Sequence, residues 1–330
     1  KAAEIRETAK GLYRALGCRG FARVDLFLTP TALACADVLA RLGVEVHVID
    51  RAPVAGGLLS LGIPAFKLPR GIVARRVKLL EDAGVRFALG ISVGKDVAWR
   101  DLANEFDAVF AGTGAARPVT LDLPGADNAS VMTADVFLRA VAAKDWKLPD
   151  ASFPIETLKG RRVSVLGGGD TALDCARTAV RLGAASVSLV ARRAKDALRA
   201  RPSDLARAET EGVSLLCGRT FSSLSISPDG TLNGLALRNV ANPDEPSETL
   251  PADVVIVAYG FRPVPDGELQ TLGVAYDDAG RIVTDDEGRT SAPKLWAGGD
   301  AVRGPALVNR ALADGRRAGL SIATAIGVLR

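Results

Sequence analysis

Residues 163–193, VSVLGGGDTALDCARTAVRLGAASVSLVARR, constrain this chain more tightly than any other stretch. An apolar strand at 163–166 runs into Gly167, Gly168 and Gly169. A helix is expected over 170–182, stopped by Gly183, and a second strand at 186–190 ends on Arg192 and Arg193. Gly167, Gly169 and Ala172 form a G-x-G-x-x-A turn. The first glycine permits a tight turn, and the second lets a pyrophosphate approach the backbone. The alanine lets the helix pack on the strand, so that its free N–H groups and positive end face the phosphates. Strands on both sides give the motif the context that a dinucleotide site requires. An acid after the second strand would take a ribose 2′-hydroxyl. Two arginines stand there instead, a place suited to a 2′-phosphate, so the motif favours NADP(H) over NAD(H).

A chain of 330 residues is long enough for two domains or more. Its 48% hydrophobic and 24% charged residues are ordinary for a globular protein. The net charge of +4 is small for this length, and the arginines are scattered without interleaved aromatics. Nucleic acid is therefore not expected as a partner. No apolar run reaches the length of a membrane span, and no signal peptide is evident, so a cytoplasmic setting without membrane is expected. Cys18, Cys35, Cys175 and Cys217 form no C-x-x-C pair and have no zinc or iron–sulfur spacing. They read as small buried hydrophobes, and a dithiol-based disulfide reductase is excluded. The one histidine, His47, reads as filler in a strand. No catalytic side chain and no metal site are expected.

A second strand–helix–strand unit lies upstream: strand 22–28, helix 32–42 and strand 44–50, closing on Asp50, which suits a ribose hydroxyl. With 163–193 it makes an internal duplication of α/β type, two Rossmann-like dinucleotide-binding domains. Between them lie a glycine- and proline-rich loop through 56–69, a helix near 73–83, strands at 85–89 and 107–111, and a polar, proline-bearing linker at 148–160. Downstream come a helix at 203–211, strands at 213–217, 221–226 and 232–240 with a Pro228-Asp229-Gly230 hairpin, a buried strand at 254–258, and a last helix over 306–326.

From residue 32 onward the chain resembles the NADPH-dependent small subunit of glutamate synthase and the related electron-entry module of dihydropyrimidine dehydrogenase. The stretches CADVLARLGVEVHVIDRAPVAGGLLSLGIPAFKLP, DAVFAGTGA, VLGGGDTALDCARTAVRLGA and WAGGDAVRGPALVNRALADGRRA carry the likeness. The resemblance implies a glutathione-reductase-like arrangement, with an FAD domain of residues 32–125 and 288–330, a linker at 126–160 and an NADP domain at 161–287. It implies hydride transfer from NADPH to FAD and onward electron transfer to an iron–sulfur or glutamate synthase large subunit-like partner. Carried over, Asp50 would hold the FAD ribose, and Gly57 and Leu58 would line the pyrophosphate and flavin. The loop 62–69, with Lys67, would flank the isoalloxazine. Gly112, Gly114, Gly299 and Asp300 would approach the FAD nucleotide and ribityl parts, and Ala306, Leu307 and Val308 would start a helix facing the flavin. Gly167, Gly168, Gly169, Asp170 and Thr171 would cradle NADPH, with Arg192 and Arg193 on its 2′-phosphate.

Two departures accompany this resemblance. The family's cysteine-rich iron–sulfur region does not occur in residues 1–31, so it is expected to be missing ahead of the FAD domain. The family's first glycine turn falls on Phe27, Thr29 and Ala32, where a β-branched residue and a phenylalanine replace glycine. Residues 1–31 stand as an atypical N-terminal segment. Residues 1–30 resemble the part of D-alanine–D-alanine ligases that carries a phosphate-side arginine and a magnesium ligand, here Arg23 and Asp25. A fused or rearranged chain is the expectation this raises. The alternative reading of function follows: an NADP-binding protein that holds FAD poorly and has little activity.

Overall fold

The structure is a computed structural model that describes residues 30–149 and 153–329. The expected strand 22–28 and the positions Arg23, Asp25, Phe27 and Thr29 lie outside the described residues. The described chain begins on helix α1 (Pro30–Arg41), whose small buried face of Ala32, Cys35 and Ala36 is backed by Leu33 and Leu39. It continues through β1 (His47–Asp50), the short α2 (Leu58–Leu61), α3 (Arg70–Asp82), β2 (Arg86–Leu89), α4 (Trp99–Glu105) and β3 (Val109–Ala111). The brief β4 (Arg117–Pro118) leads to β5 (Val131–Thr133), α5 (Ala134–Asp145), β6 (Arg162–Leu166), α6 (Asp170–Arg181) and β7 (Ser186–Ala191). Then come α7 (Pro202–Thr210), β8 (Val213–Cys217), β9 (Arg219–Ile226), β10 (Leu232–Asn239), β11 (Glu248–Pro251) and β12 (Val254–Val257). The chain closes with β13 (Phe261–Arg262), α8 (Gly267–Thr271), β14 (Leu295–Ala297), α9 (Asp300–Arg303) and α10 (Val308–Ala325).

These elements form two compact units. Among the described residues, the first takes those from Pro30 to Leu61, Leu68–Arg117 and those from Phe261 to Leu329; the second takes Gly62–Lys67 and the described part of Pro118–Gly260. In the first unit β1 pairs with β2 and β3 with β14, both in parallel. Strands β1, β3 and β14 are buried throughout, as parallel strands covered on both faces must be. The second unit is built on a five-stranded parallel sheet in the order β5-β12-β6-β7-β8, with an antiparallel β11-β10-β9 sheet beside it. Helix α6 covers the parallel sheet with Ala172, Leu173, Cys175, Ala176 and Ala179, all essentially inaccessible. Such small residues bring a helix axis close to a sheet.

The unit boundaries differ from those suggested by sequence. Residues 126–160, read as a linker, contain β5 and α5, which bury Met132, Phe137 and Leu138 in the core of the second unit. Residues 261–287 belong to the first unit. The prolines at 149 and 154 drew attention away from a helix whose apolar face lies just upstream. The loop read through 56–69 also contains the one-turn helix α2.

Candidate functional site

In the second unit the glycine turn is assembled as the motif requires. Gly167 N–H donates to the Val190 carbonyl (2.9 Å), and Ala258 N–H donates to the Leu166 carbonyl (2.8 Å), so the turn sits between the ends of β7 and β12. Gly167 has φ +147°, and an added Cβ would lie 2.5 Å from the Ala258 carbonyl oxygen. Only glycine fits. Gly169 caps α6, and an added Cβ there would meet no protein atom within 4 Å. That open side, beside the free N–H groups of the first turn, is where an anion can approach. Gly168 packs under Leu198, while Asp170 is exposed and Thr171 half-buried in the first turn. At the end of β7, Arg192 and Arg193 are exposed and form no ion pair among the described residues. Tyr259 follows β12; burial pushes its hydroxyl pKa up, opposed by Arg192.

Further along α6, Asp174, Arg177 and Arg181 share one face at i, i+3 and i+7 spacing. Glu211 clasps both arginines, with Arg177 Nε at 2.9 Å and Nη2 at 2.7 Å, and Arg181 Nη1 at 2.5 Å and Nη2 at 2.8 Å. These bonds hold the Glu211 carboxyl down at about 2. Phe66 lies under the same arginines, 4.0 Å from the Arg181 guanidinium carbon and 4.7 Å from that of Arg177. Lys67 Nζ is 2.6 Å from Asp174 Oδ1, without the angle of a good hydrogen bond. Burial pushes the Asp174 carboxyl up, while Lys67 and Arg177 draw it down.

In the first unit, groups of interest gather at the carboxyl ends of parallel strands, where open α/β sheets place their ligands. Asp50 ends β1, fully buried, and accepts the Ala52 N–H at 2.8 Å. Gly56 and Gly57 turn the chain into α2, which Leu58 begins. Gly112 and Gly114 follow β3. Gly298, Gly299 and Asp300 follow β14, and Gly299 (φ +67°) packs so tightly on Thr31 that an added Cβ would collide with Thr31 Oγ1. That hydroxyl is buried, with no hydrogen-bond partner among the described residues. Asp300 is pushed up to about 6, chiefly by burial and further by Asp314, and is opposed by the Ala306 N–H it accepts at 3.1 Å. Asp314 on α10 is itself held by Arg303 (2.6 and 2.8 Å) and Arg317 (2.9 Å) and accepts the Gly299 N–H. Helix α10 starts at Val308 with Leu307 as its cap, so Ala306 lies ahead of the helix rather than in its first turn.

Sequence reasoning picked out the glycines, Asp50 and the Arg192–Arg193 pair. It passed over Thr31, Phe66, Asp174, Arg177, Glu211 and Asp314. The i, i+3, i+7 stripe on α6 was a readable signal; the partners of Asp314 depend on tertiary packing alone. Lys67, expected beside a flavin, has its ammonium paired with Asp174 on α6.

With these two strand-end clusters in view, the sequence matches the pyridine nucleotide-disulphide oxidoreductase family over residues 29–315. The chain belongs to that family. It carries the family's nucleotide folds without a C-x-x-C dithiol. The glutamate synthase [NADPH] small chain of Halomonas elongata is 39% identical over 312 residues, covering 89% of this chain and 65% of that protein. A putative glutamate synthase [NADPH] small chain of Cereibacter sphaeroides is also 39% identical, covering 89% of this chain and 74% of that protein. Among solved structures, Mycobacterium tuberculosis FprA in complex with NADPH aligns with a TM-score of 0.74 at 19% identity, over 94% of this chain and 85% of that one. That likeness bears on the fold, which is α/β with two Rossmann-like domains. The chain spans less than two thirds, 65%, of the Halomonas protein's length. The family match starts at residue 29, and the ligase resemblance of residues 1–30 has no support in these comparisons. No described helix is long and apolar enough to cross a membrane.

Proposed function

We propose that this chain is an NADPH-dependent flavoprotein oxidoreductase that holds FAD in its first unit and NADPH in its second. The observation that carries the reading is the cradle of the second unit: an open glycine-capped helix N-terminus with Arg192 and Arg193, exposed and without an ion pair among the described residues, at the end of the next parallel strand. The residues of the first unit fit FAD. Among the described residues Thr31 Oγ1 is a buried polar atom without a hydrogen-bond partner, Asp300 is a largely buried carboxyl that accepts the Ala306 N–H, and Asp50 is a buried acid at a strand end. When bound, FAD supplies a ring that accepts a hydride and releases electrons one at a time.

The chain's own residues bind and orient. Asp50 accepts ribose hydroxyls, and Gly57, Leu58, Gly112 and Gly114 allow close backbone approach. Gly299 and Asp300 take the ribityl and diphosphate region, and the start of α10, with Ala306, Leu307 and Val308, presents a positive helix end to the flavin. Gly167, Gly168, Gly169, Asp170 and Thr171 receive the NADPH diphosphate, and Arg192 and Arg193 receive its 2′-phosphate. Hydride transfer depends on distance and stacking, so a chain with a single histidine and no dithiol is adequate to it. The name small chain carried by the relatives supports a glutamate synthase large subunit-like partner as the onward acceptor; an iron–sulfur partner rests on the resemblance alone. Cys175 and Cys217, which form no disulfide among the described residues, suit a reducing, cytoplasmic setting.

The Arg192→Ala/Arg193→Ala double variant tests this reading. It is expected to weaken NADPH binding by about a hundredfold, two charge-assisted contacts at roughly 1.4 kcal/mol each, and to leave NADH binding unchanged. An equal loss for both nucleotides, or no loss, would count against the assignment.

A further inference from the structure

The loop from β7 to α7, residues 192–201, reads RRAKDALRAR and holds one large apolar side chain, Leu198, among five cations. All of it belongs to the second unit. Leu198 fills the notch over Gly168: an added Cβ on that glycine would lie 2.7 Å from Leu198 Cδ2 and 3.2 Å from Ala191 Cβ. The side chain therefore bridges the glycine turn and the last residue of β7, directly ahead of Arg192. It packs against the core that α6 shares with the parallel sheet, yet it stays only half-buried. Contacts of the loop itself hold it in this place. The Arg193 carbonyl accepts the Gly218 N–H at 3.0 Å, beside the end of β8. A single turn over Lys195–Ala197 is closed by the Ala197 N–H, which donates to the Ala194 carbonyl at 3.0 Å. Lys195 Nζ donates to Glu209 Oε1 on α7 at 2.6 Å, and Ala200 is buried.

The chemistry of NADPH narrows what can lie over this leucine. The diphosphate and the extra phosphate are carried by the same adenosine ribose, on its 5′ and 2′ carbons. With the first at the N-terminus of α6 and the second at Arg192 and Arg193, the adenosine spans the ground between them, which is Gly168, Ala191 and Leu198. We propose that Leu198 is the adenine-binding residue of the second unit, an apolar shelf already in place for the base of NADPH. The inference rests on the reading of this unit as the NADPH site. A purine face laid on an aliphatic side chain removes apolar area from water, and it makes no hydrogen bond. The shelf therefore adds affinity for NADPH and NADH alike, and the choice between them stays with the arginine pair. Prearrangement of the loop spares the nucleotide the cost of ordering it.

The test uses the full chain and two probes: adenosine 2′,5′-bisphosphate and the same ribose bisphosphate without its base. Binding of both probes, NADPH and NADH is titrated calorimetrically in wild type, Leu198→Ala, Leu198→Gln, Leu198→Met and the Arg192→Ala/Arg193→Ala double variant. Leu198→Ala should weaken the adenosine probe about tenfold and leave the base-free probe within about twofold. NADPH and NADH should weaken by the same factor, so their ratio is kept. Leu198→Met, which keeps an apolar face, should retain wild-type affinity, and Leu198→Gln should behave as Leu198→Ala does. The arginine double variant should weaken both probes and lower the ratio. Should Leu198→Ala fail to fold, the difference between Leu198→Met and Leu198→Gln decides the matter. Equal loss of both probes in the leucine variants, or no loss of either, would overturn the shelf while leaving the NADPH reading in place. A wild-type protein that binds neither probe would sink the NADPH reading, and the shelf with it.

Discussion

Asp300, proposed above to hold FAD, carries a cost of burial in the protein alone. Its folded pKa of about 6 lies above the ordinary 3.8, with burial the largest cause. A carboxyl raised on folding favours the folded state when protonated, so its contribution is present at low pH and is lost as pH rises from 3.8 through 6. Above that the ionised group is a cost that hydroxyl donors on a ligand offset. Asp300→Asn should therefore raise the melting temperature of the FAD-free protein at pH 7 by about 2 °C or more, and flatten its stability between pH 4 and 6. The same variant should weaken FAD binding about tenfold, since an amide oxygen accepts less strongly than a carboxylate. Thermal melts across pH and flavin fluorescence titrations read both effects. A variant that is less stable at pH 7, or one that binds FAD as tightly as wild type, would contradict the assignment.

Helices α1 and α10 owe their close approach to glycine. An added Cβ at Gly315 would collide with the Thr31 carbonyl oxygen, and one at Gly319 would meet Val38 Cβ at 3.1 Å. Gly315→Ala is expected to destabilise the protein by about 3 kcal/mol through overpacking of backbone that cannot yield, read as a lower denaturation midpoint. An unchanged midpoint would mean the two helices can separate at little cost. At this scale much was legible. The turn at Gly167, α6 and β7 could be read from spacing because glycine placement and apolar period are local properties. Helix α5 was not read, because the prolines on its downstream side suggested a linker while its burial of Phe137 and Leu138 is a tertiary fact. The docking of Phe66 on α6 was equally hidden. A lone aromatic in a glycine- and proline-rich loop carries no sign of the helix it meets.

Over the whole molecule, the duplication read at Asp50 and at Arg192–Arg193 corresponds to two nucleotide-fold units, each with its polar groups at strand carboxyl ends. The two clusters differ in charge, with a buried acid in the first unit and an exposed arginine pair in the second, the difference that the proposed FAD and NADPH sites require. What sequence could not supply was the interleaving of the units, since the strap Gly62–Lys67 counts with the second although both neighbours count with the first. The central claim is that both units are loaded and connected by hydride transfer. The most direct measurement is the visible spectrum of the purified protein before and after anaerobic addition of NADPH. The account predicts a yellow protein whose flavin absorbance bleaches with NADPH far more readily than with NADH. A colourless protein that takes up no added FAD while still binding NADPH would contradict it, leaving the second unit as a nucleotide-binding fold without its redox partner.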